Sequence, residues 1–185
     1  SIMQEFQRLH DLLHAWKPSA LSDINAAFAK GKSANIPLEL ENMLRDASRL
    51  SELSNGLFNP AIGSLVRLWG FQADEFLPAL PDARQIGKLV AAQPQMKNIS
   101  FTITPSTKVT RIRSSNPAVQ LDLGGYAKGY ALDRAALLLK QQGIHNALIN
   151  IGGNIMALGT HGSRPWRVGI QHPRKPGPLA TLELH

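Results

Sequence analysis

The chain has no cysteine at all among its 185 residues. That excludes disulfides and thiolate metal sites, and leaves the compartment open. Aromatic residues are scarce, at 6%. Long apolar runs are also missing: no stretch approaches the roughly 20 apolar residues that a membrane span needs. Ser1–Trp16 has no basic segment followed by an apolar one, so it does not read as a secretory leader. Acidic residues are scarce in one half only. Up to Asp82 there are 7 basic and 10 acidic residues, and from Ala83 onward 13 basic and 3 acidic. Two of those three acids are Asp122 and Asp133. A basic surplus can mean a solvated face or nucleic-acid binding. No basic helix or aromatic-spaced patch accompanies it, so an anionic small ligand, or an acidic portion of the molecule elsewhere, fits better.

What is present is apolar periodicity. Ile2, Phe6, Leu9, Leu13 and Trp16 recur at helical spacing, and Lys17-Pro18 ends that helix. A second helix is predicted over Pro37–Ser54, with Gly56 as its terminator. A short one is predicted over Ala61–Trp69, with Ile62, Leu65, Val66 and Trp69 facing inward. A fourth follows Asp82 as cap. The texture then changes to short β-branched runs: Ile99–Thr104, Val109–Arg113, Val119–Leu123, Ala147–Ile151, Ile155–Leu158, Trp166–Ile170 and Leu179–Leu184. A helix over Ala131–Gln142 crosses them. The class is α+β: N-terminal helices, then a largely antiparallel sheet with a crossing helix.

Four stretches carry candidate chemistry. In LDLGGYAKGYALDRAALLLKQQG, Leu121–Gly143, an acid is expected at a strand end, two glycines at the turn and Lys128 at the start of a helix. The glycine spacing fits neither a dinucleotide fingerprint nor a P-loop. Glycines still let a ligand approach the backbone, and a helix N-terminus still offers N–H groups to an anion. Asp122 and a turn carbonyl could coordinate Mg²⁺. A plain strand–turn–helix with a solvent lysine is the alternative. In SNGLFNPAIGSLVRLWGF, Ser54–Phe71, the pair Leu57-Phe58 could line an aromatic ligand or plug the core under a loop. NIGGNIMALGT, Asn150–Thr160, reads as a tight hairpin. In PWRVGIQHPRKPG, Trp166 reads as core and His172 as a loop residue.

In this order, WKPSALSDIN, SNGLFNPAIGSLVRLWGF, LDLGGYAKGYALDRAALLLKQQGIHNALINIGGNIMALG and PWRVGIQHP resemble the ApbE family of bacterial FAD:protein FMN transferases, over nearly all 185 residues. The resemblance implies an ApbE-like, T-fold-like architecture with residues 1–185 as the central part of a single domain. The family's N-terminal strand and C-terminal metal-binding segment are not in this sequence, so the domain reads as incomplete at both ends. It implies Mg²⁺-dependent transfer of FMN from FAD to a threonine or serine hydroxyl of a target flavoprotein, with release of AMP. The alternative within the resemblance is an FAD-binding module, or an FAD pyrophosphatase without transfer activity. A basic scaffold or nucleic-acid binder is the reading outside it. The partner implied is a flavoprotein subunit of a membrane redox complex, with no nucleic acid and no membrane insertion by this chain. The location implied is the periplasm or the outer face of the cytoplasmic membrane, with a possible lipid anchor. By resemblance, Trp16, Leu57, Phe58, Asn59, Asp122 and Lys128 contact FAD, and Asp122 is the catalytic acid. The Gly125 main-chain carbonyl ligates the metal. Asn59 stands where the family more often has aspartate.

Overall fold

The computed structural model describes residues 1–75 and 79–184. The chain forms two compact units, one of Arg8–Tyr126 and a smaller one of Ser1–Gln7 with Ala127–His185. Helix α1 (Ile2–Leu13) and helix α6 (Gly124–Gln141) each run from one unit into the other.

The larger unit holds α2 (Ala20–Ala29), β1 (Ala34–Ile36), α3 (Leu38–Leu53), α4 (Gly63–Leu68), α5 (Ala83–Ala91), a 3-10 turn, β2 (Ile99–Ile103) and β3 (Thr110–Ser114). The strands form one antiparallel sheet in the order β1-β3-β2. Its core is aliphatic apart from Phe28. Leu21, Ile24 and Phe28 of α2, Leu40, Met43, Leu44 and Ala47 of α3, and Ile112 of β3 are all buried.

Helix α2 was not foreseen from the sequence. Ser19 caps it by a reciprocal box with Ser22, each hydroxyl accepting the other residue's N–H. Serine stands at the third position where Glu or Gln gives the familiar signature. Strand β1, at three residues, was also missed. Helix α3 ends in a Schellman motif: the Gly56 N–H donates to the Ser51 carbonyl and the Asn55 N–H to the Glu52 carbonyl. The left-handed residue that stops the helix is therefore Asn55, at φ 53°, ahead of Gly56. Asp82 caps α5 as expected, accepting from the N–H groups of Arg84 and Gln85. Trp69, expected to face inward, is 40% exposed just past the end of α4.

The run Val119–Leu123 is not a strand. It has the alternation of one, with Val119, Leu121 and Leu123 buried and Gln120 and Asp122 half-buried. Its hydrogen bonds go elsewhere. The buried Asn25 side chain serves both backbone groups of Leu121, its Nδ2 donating to the carbonyl at 2.9 Å and its Oδ1 accepting the N–H at 2.6 Å. On the other side, the Gln120 N–H donates to the Ala61 carbonyl. The Gly63 N–H donates to the Gln120 carbonyl at 2.7 Å, and the Asp122 N–H to the Pro60 carbonyl.

The smaller unit contains two antiparallel hairpins, β4 (Ala147–Ile151) with β5 (Asn154–Leu158) and β6 (Trp166–Gln171) with β7 (Pro178–Leu184). These ranges follow the predicted strands to within one residue. Gly152 and Gly153 form the first turn at φ 54° and 91°, positive values at both positions as a two-residue hairpin turn requires. The Trp166 indole N–H donates to the Leu158 carbonyl, linking the two hairpins. Arg134 of α6 pairs with Glu5 of α1 at 2.9 Å. The α+β class holds, with the antiparallel pairing divided among three sheets.

Replacing Asn25 should be among the more damaging single changes in the larger unit. Asn25→Leu leaves a buried N–H and a buried carbonyl without partners, a loss of about 2–4 kcal/mol. Asn25→Asp keeps an acceptor for the N–H but sets a carboxylate oxygen against the Leu121 carbonyl. Denaturant unfolding midpoints check both. A loss below roughly 1 kcal/mol for Asn25→Leu would mean that the amide is not what holds this segment.

Candidate functional site

The site is built on the segment that Asn25 fixes. Because Leu121 faces the core, Asp122 faces out. Its Oδ1 accepts the Gly124 N–H at 2.9 Å, and its Oδ2 accepts from Gln72 Nε2 at 2.7 Å. The first contact begins α6, satisfying one of the N–H groups that a helix cannot pair internally. No tight glycine turn precedes the helix. Gly124 and Gly125 form the first turn of α6 itself, which starts seven residues earlier than the expected Ala131. The Gly125 carbonyl therefore points along the helix axis, and the amides are what the helix start presents. A Cβ at Gly124 would stand 3.0 Å from Asp122 Oδ1, so glycine is what lets the carboxylate close on the helix.

Phe58 reaches the same place. A Cβ at Gly125 would lie 3.6 Å from Phe58 Cε2, so the ring edge lies beside the helix start. The Phe58 N–H donates to Ser54 Oγ, and Leu57, at the tip of this turn, is 93% exposed. Asn59 is tied into the loop at both ends of its amide. Its Oδ1 accepts the Ala61 N–H and its Nδ2 donates to the Pro94 carbonyl. Both polar ends shape the loop, and Asn59 also lines a cleft of about 320 Å³ with Ser48, Glu52 and Lys97. Trp16 follows α1, 43% exposed, with its ring edge-on to His14. The 70–75 segment links it to Asp122: Lys17 pairs with Asp74 at 3.0 Å, and Gln72 holds Asp122. Tyr126 donates to Asp46 at 3.0 Å. Hydrogen bonds from Arg49, and secondarily from Tyr126, hold the Asp46 carboxyl below its ordinary value, although burial opposes them.

Within the larger unit the structure thus brings together Asp122, Gly125 and Phe58, and ties the Trp16 region to them through Gln72 and Asp74. Lys128 belongs to the smaller unit, where its Nζ stands 3.5 Å from the position of a Cβ at Gly152. Sequence reasoning missed Gln72, Asn25 and His14. Gln72 lies in a segment without periodicity, and no local pattern marks it.

The residues fit the expected groups in part. Asp122 accepts one hydrogen bond on each oxygen, which leaves lone pairs for a hard cation. Among the described residues no three His, Asp or Glu cluster as a metal site. Exposed Leu57, Trp16 and the Phe58 edge offer flat apolar surface.

Fold and site together define an α+β protein with a carboxylate and an aromatic edge at the start of one helix. The chain belongs to the ApbE family, whose model matches residues 1–185. It is 45% identical over 179 residues to an FAD:protein FMN transferase of Rhodobacter capsulatus, covering 97% of this chain and 33% of that protein. It is 32% identical over 176 residues to one of Klebsiella pneumoniae (strain 342), covering 93% and 51%. Among solved structures, the ApbE protein of Thermotoga maritima superposes with a TM-score of 0.85 at 26% identity, covering 99% of this chain and 58% of that one. The apo form of the Pseudomonas stutzeri flavinyl transferase ApbE gives 0.79 at 27%, covering 99% and 55%. The chain thus spans about a third to a half of the length of these curated relatives.

Gly63 offers a test of how the site is held. A Cβ there would stand 2.8 Å from the Gln120 carbonyl oxygen and 3.4 Å from the Asp122 Cβ. Gly63→Ala should destabilise by about 1–3 kcal/mol, because backbone must move. Gly87→Ala, in an α5 position with nothing within 4 Å, should be neutral or stabilising by roughly 0.5–1 kcal/mol. Parallel thermal unfolding of the two variants checks the contrast, and equal effects would contradict it.

Proposed function

We propose that this chain is part of an FAD:protein FMN transferase. Such an enzyme moves FMN from FAD to a threonine or serine hydroxyl of a target flavoprotein. The hydroxyl oxygen forms a bond to the FMN phosphorus, the pyrophosphate bond breaks, and AMP leaves. The observation that carries this reading is the 45% identity, over 97% of the chain, to the Rhodobacter capsulatus FAD:protein FMN transferase.

The residues have assignable parts in it. Trp16, Leu57 and the Phe58 edge supply apolar surface for an isoalloxazine ring. Asn59 shapes the loop that carries Leu57 and Phe58. Asp122, held from both sides by Gln72 and the helix start, needs no rearrangement to act. Its remaining lone pairs would hold Mg²⁺. When bound, the cation would neutralise charge on the pyrophosphate. Lys128, its ammonium beside the Gly152 turn, would carry a phosphate oxygen. In the same reading the target is a subunit of a membrane redox complex, and the work is done on the outer face of the cytoplasmic membrane. Among the described residues no helix is long and apolar enough to cross a membrane.

The test uses the full-length protein and a threonine-bearing flavoprotein, with FAD and Mg²⁺ varied separately. Lys128→Ala should weaken FAD binding about tenfold, as expected for a lost charged hydrogen bond, and leave the Mg²⁺ dependence in place. Asp122→Ala should impair transfer severely even at saturating FAD. Near-normal transfer by Asp122→Ala would remove the start of α6 from the active site. FMN and AMP released without flavinylated target would point to a pyrophosphatase instead.

A further inference from the structure

We infer that His14 is a positioning residue for Trp16, presenting the indole in the orientation in which it meets the flavin. This rests on the reading of Trp16 as a flavin contact. His14 is the residue just past the end of α1, and it is 9% exposed. Its Nδ1 accepts two backbone N–H groups, from Trp16 at 3.4 Å and from Lys17 at 3.1 Å. Its own carbonyl accepts from Ser19 Oγ at 2.6 Å, so the backbone is tied to the cap of α2. Its ring meets the Trp16 ring edge-on, with centroids 4.4 Å apart at 73°. On the other side it meets His10, at 4.9 Å and 86°. One side chain thus sets both the peptide that carries the indole and the face against which the indole rests.

The arrangement requires a neutral imidazole. Nδ1 accepts only while unprotonated, with the ring proton on Nε2. An imidazolium would turn N–H toward N–H and release both contacts. The charged and titratable groups that face His14 are His10 and Asp11 on α1, Lys17 in the turn that follows, and Asp74 from the 70–75 segment. Burial first, then His10 and Lys17, disfavour a charge on His14. They outweigh Asp74 and Asp11 and hold the His14 imidazole below its ordinary value. In acid the unfolded chain therefore takes this proton before the native one does. The contacts of His14 lose stability as the pH falls below that value. A plain helix terminator would weaken the fold in acid without changing flavin affinity while the protein stays folded.

The experiment titrates riboflavin and FAD onto the full-length protein from about pH 8 to about pH 5, across the histidine range, with unfolding followed at each pH. Wild type should lose about tenfold in affinity for both flavins toward acid while still folded. His14→Asn supplies an oxygen that accepts the same two N–H groups and does not titrate, so it should keep the neutral affinity and show no acid loss. His14→Leu should bind weakly at every pH. The midpoint of the wild-type loss should coincide with the titration of the His14 ring followed by NMR, a measurement that needs no variant. A midpoint elsewhere, or the same acid loss in His14→Asn, overturns the inference. Trp16→Ala serves as the check on its premise: unchanged flavin binding there removes Trp16 as a contact, and His14's role with it.

Discussion

The site depends on one side-chain amide. Leu121 is fully buried, and its peptide N–H and carbonyl must find partners inside the protein. A neighbouring strand would ordinarily provide them. Here Asn25, on helix α2 and 96 residues earlier in the chain, reproduces the donor and acceptor of a strand residue. The other flank of the segment is taken by Pro60, Ala61 and Gly63. Between these two flanks the chain is extended, so its side chains alternate. Leu121 and Leu123 must then point to the core and Asp122 away from it. The orientation of the candidate catalytic acid is thus a consequence of a buried hydrogen-bond requirement at the residue before it.

The same constraint separates the two glycines that begin α6. Glycine in a helix is less favourable than alanine by about 1 kcal/mol, so two in one turn need a reason. Gly124 has one within the protein, because a Cβ there would press on Asp122 Oδ1. Gly125 has none of that kind: its nearest neighbour, Phe58 Cε2, would tolerate a Cβ at ordinary contact distance. What glycine achieves at 125 is a helix start without a side chain beside a carboxylate and an aromatic edge. The amides that flank it are already used, Gly124 N–H by Asp122 and Tyr126 N–H by the Leu123 carbonyl.

Much of this was legible from residues, and the rest failed for identifiable reasons. The alternation over Val119–Leu123 gave the correct extended geometry. It gave the wrong partner, since a pattern of period two reports which way side chains point and not what the backbone pairs with. The glycines at 124 and 125 suggested a turn because glycine usually breaks helices; the side chain of Asp122, two residues back, overrides that preference. Helix α2 carries Leu21, Ile24 and Phe28 at helical spacing, yet its Ser19–Ser22 box lacks the acid that makes such a start conspicuous. Gln72 could not have been found, because its role is set by a contact 50 residues away. Leu57 and Phe58, by contrast, stand out in any reading, since an apolar pair at a loop tip must either be buried or be used.

That distinction also orders the residues named by family likeness. Asn59 has both ends of its amide engaged, with Ala61 and Pro94, so it holds the loop that carries Leu57 and Phe58. An aspartate in its place could still accept from Ala61 but could not donate to Pro94, and the loop would have to be held by other means. The amide is therefore matched to this chain's own 94–95 segment and is not a mere neutral copy of an acid. Asp122 differs in charge: each oxygen has one donor and lone pairs to spare, and its two donors leave it fixed but not exhausted. A group that must meet a cation or a phosphate needs both properties, immobility before the ligand arrives and unspent valence when it does. Among the sequence-predicted residues of the larger unit, Asp122 is the ionisable one that combines them.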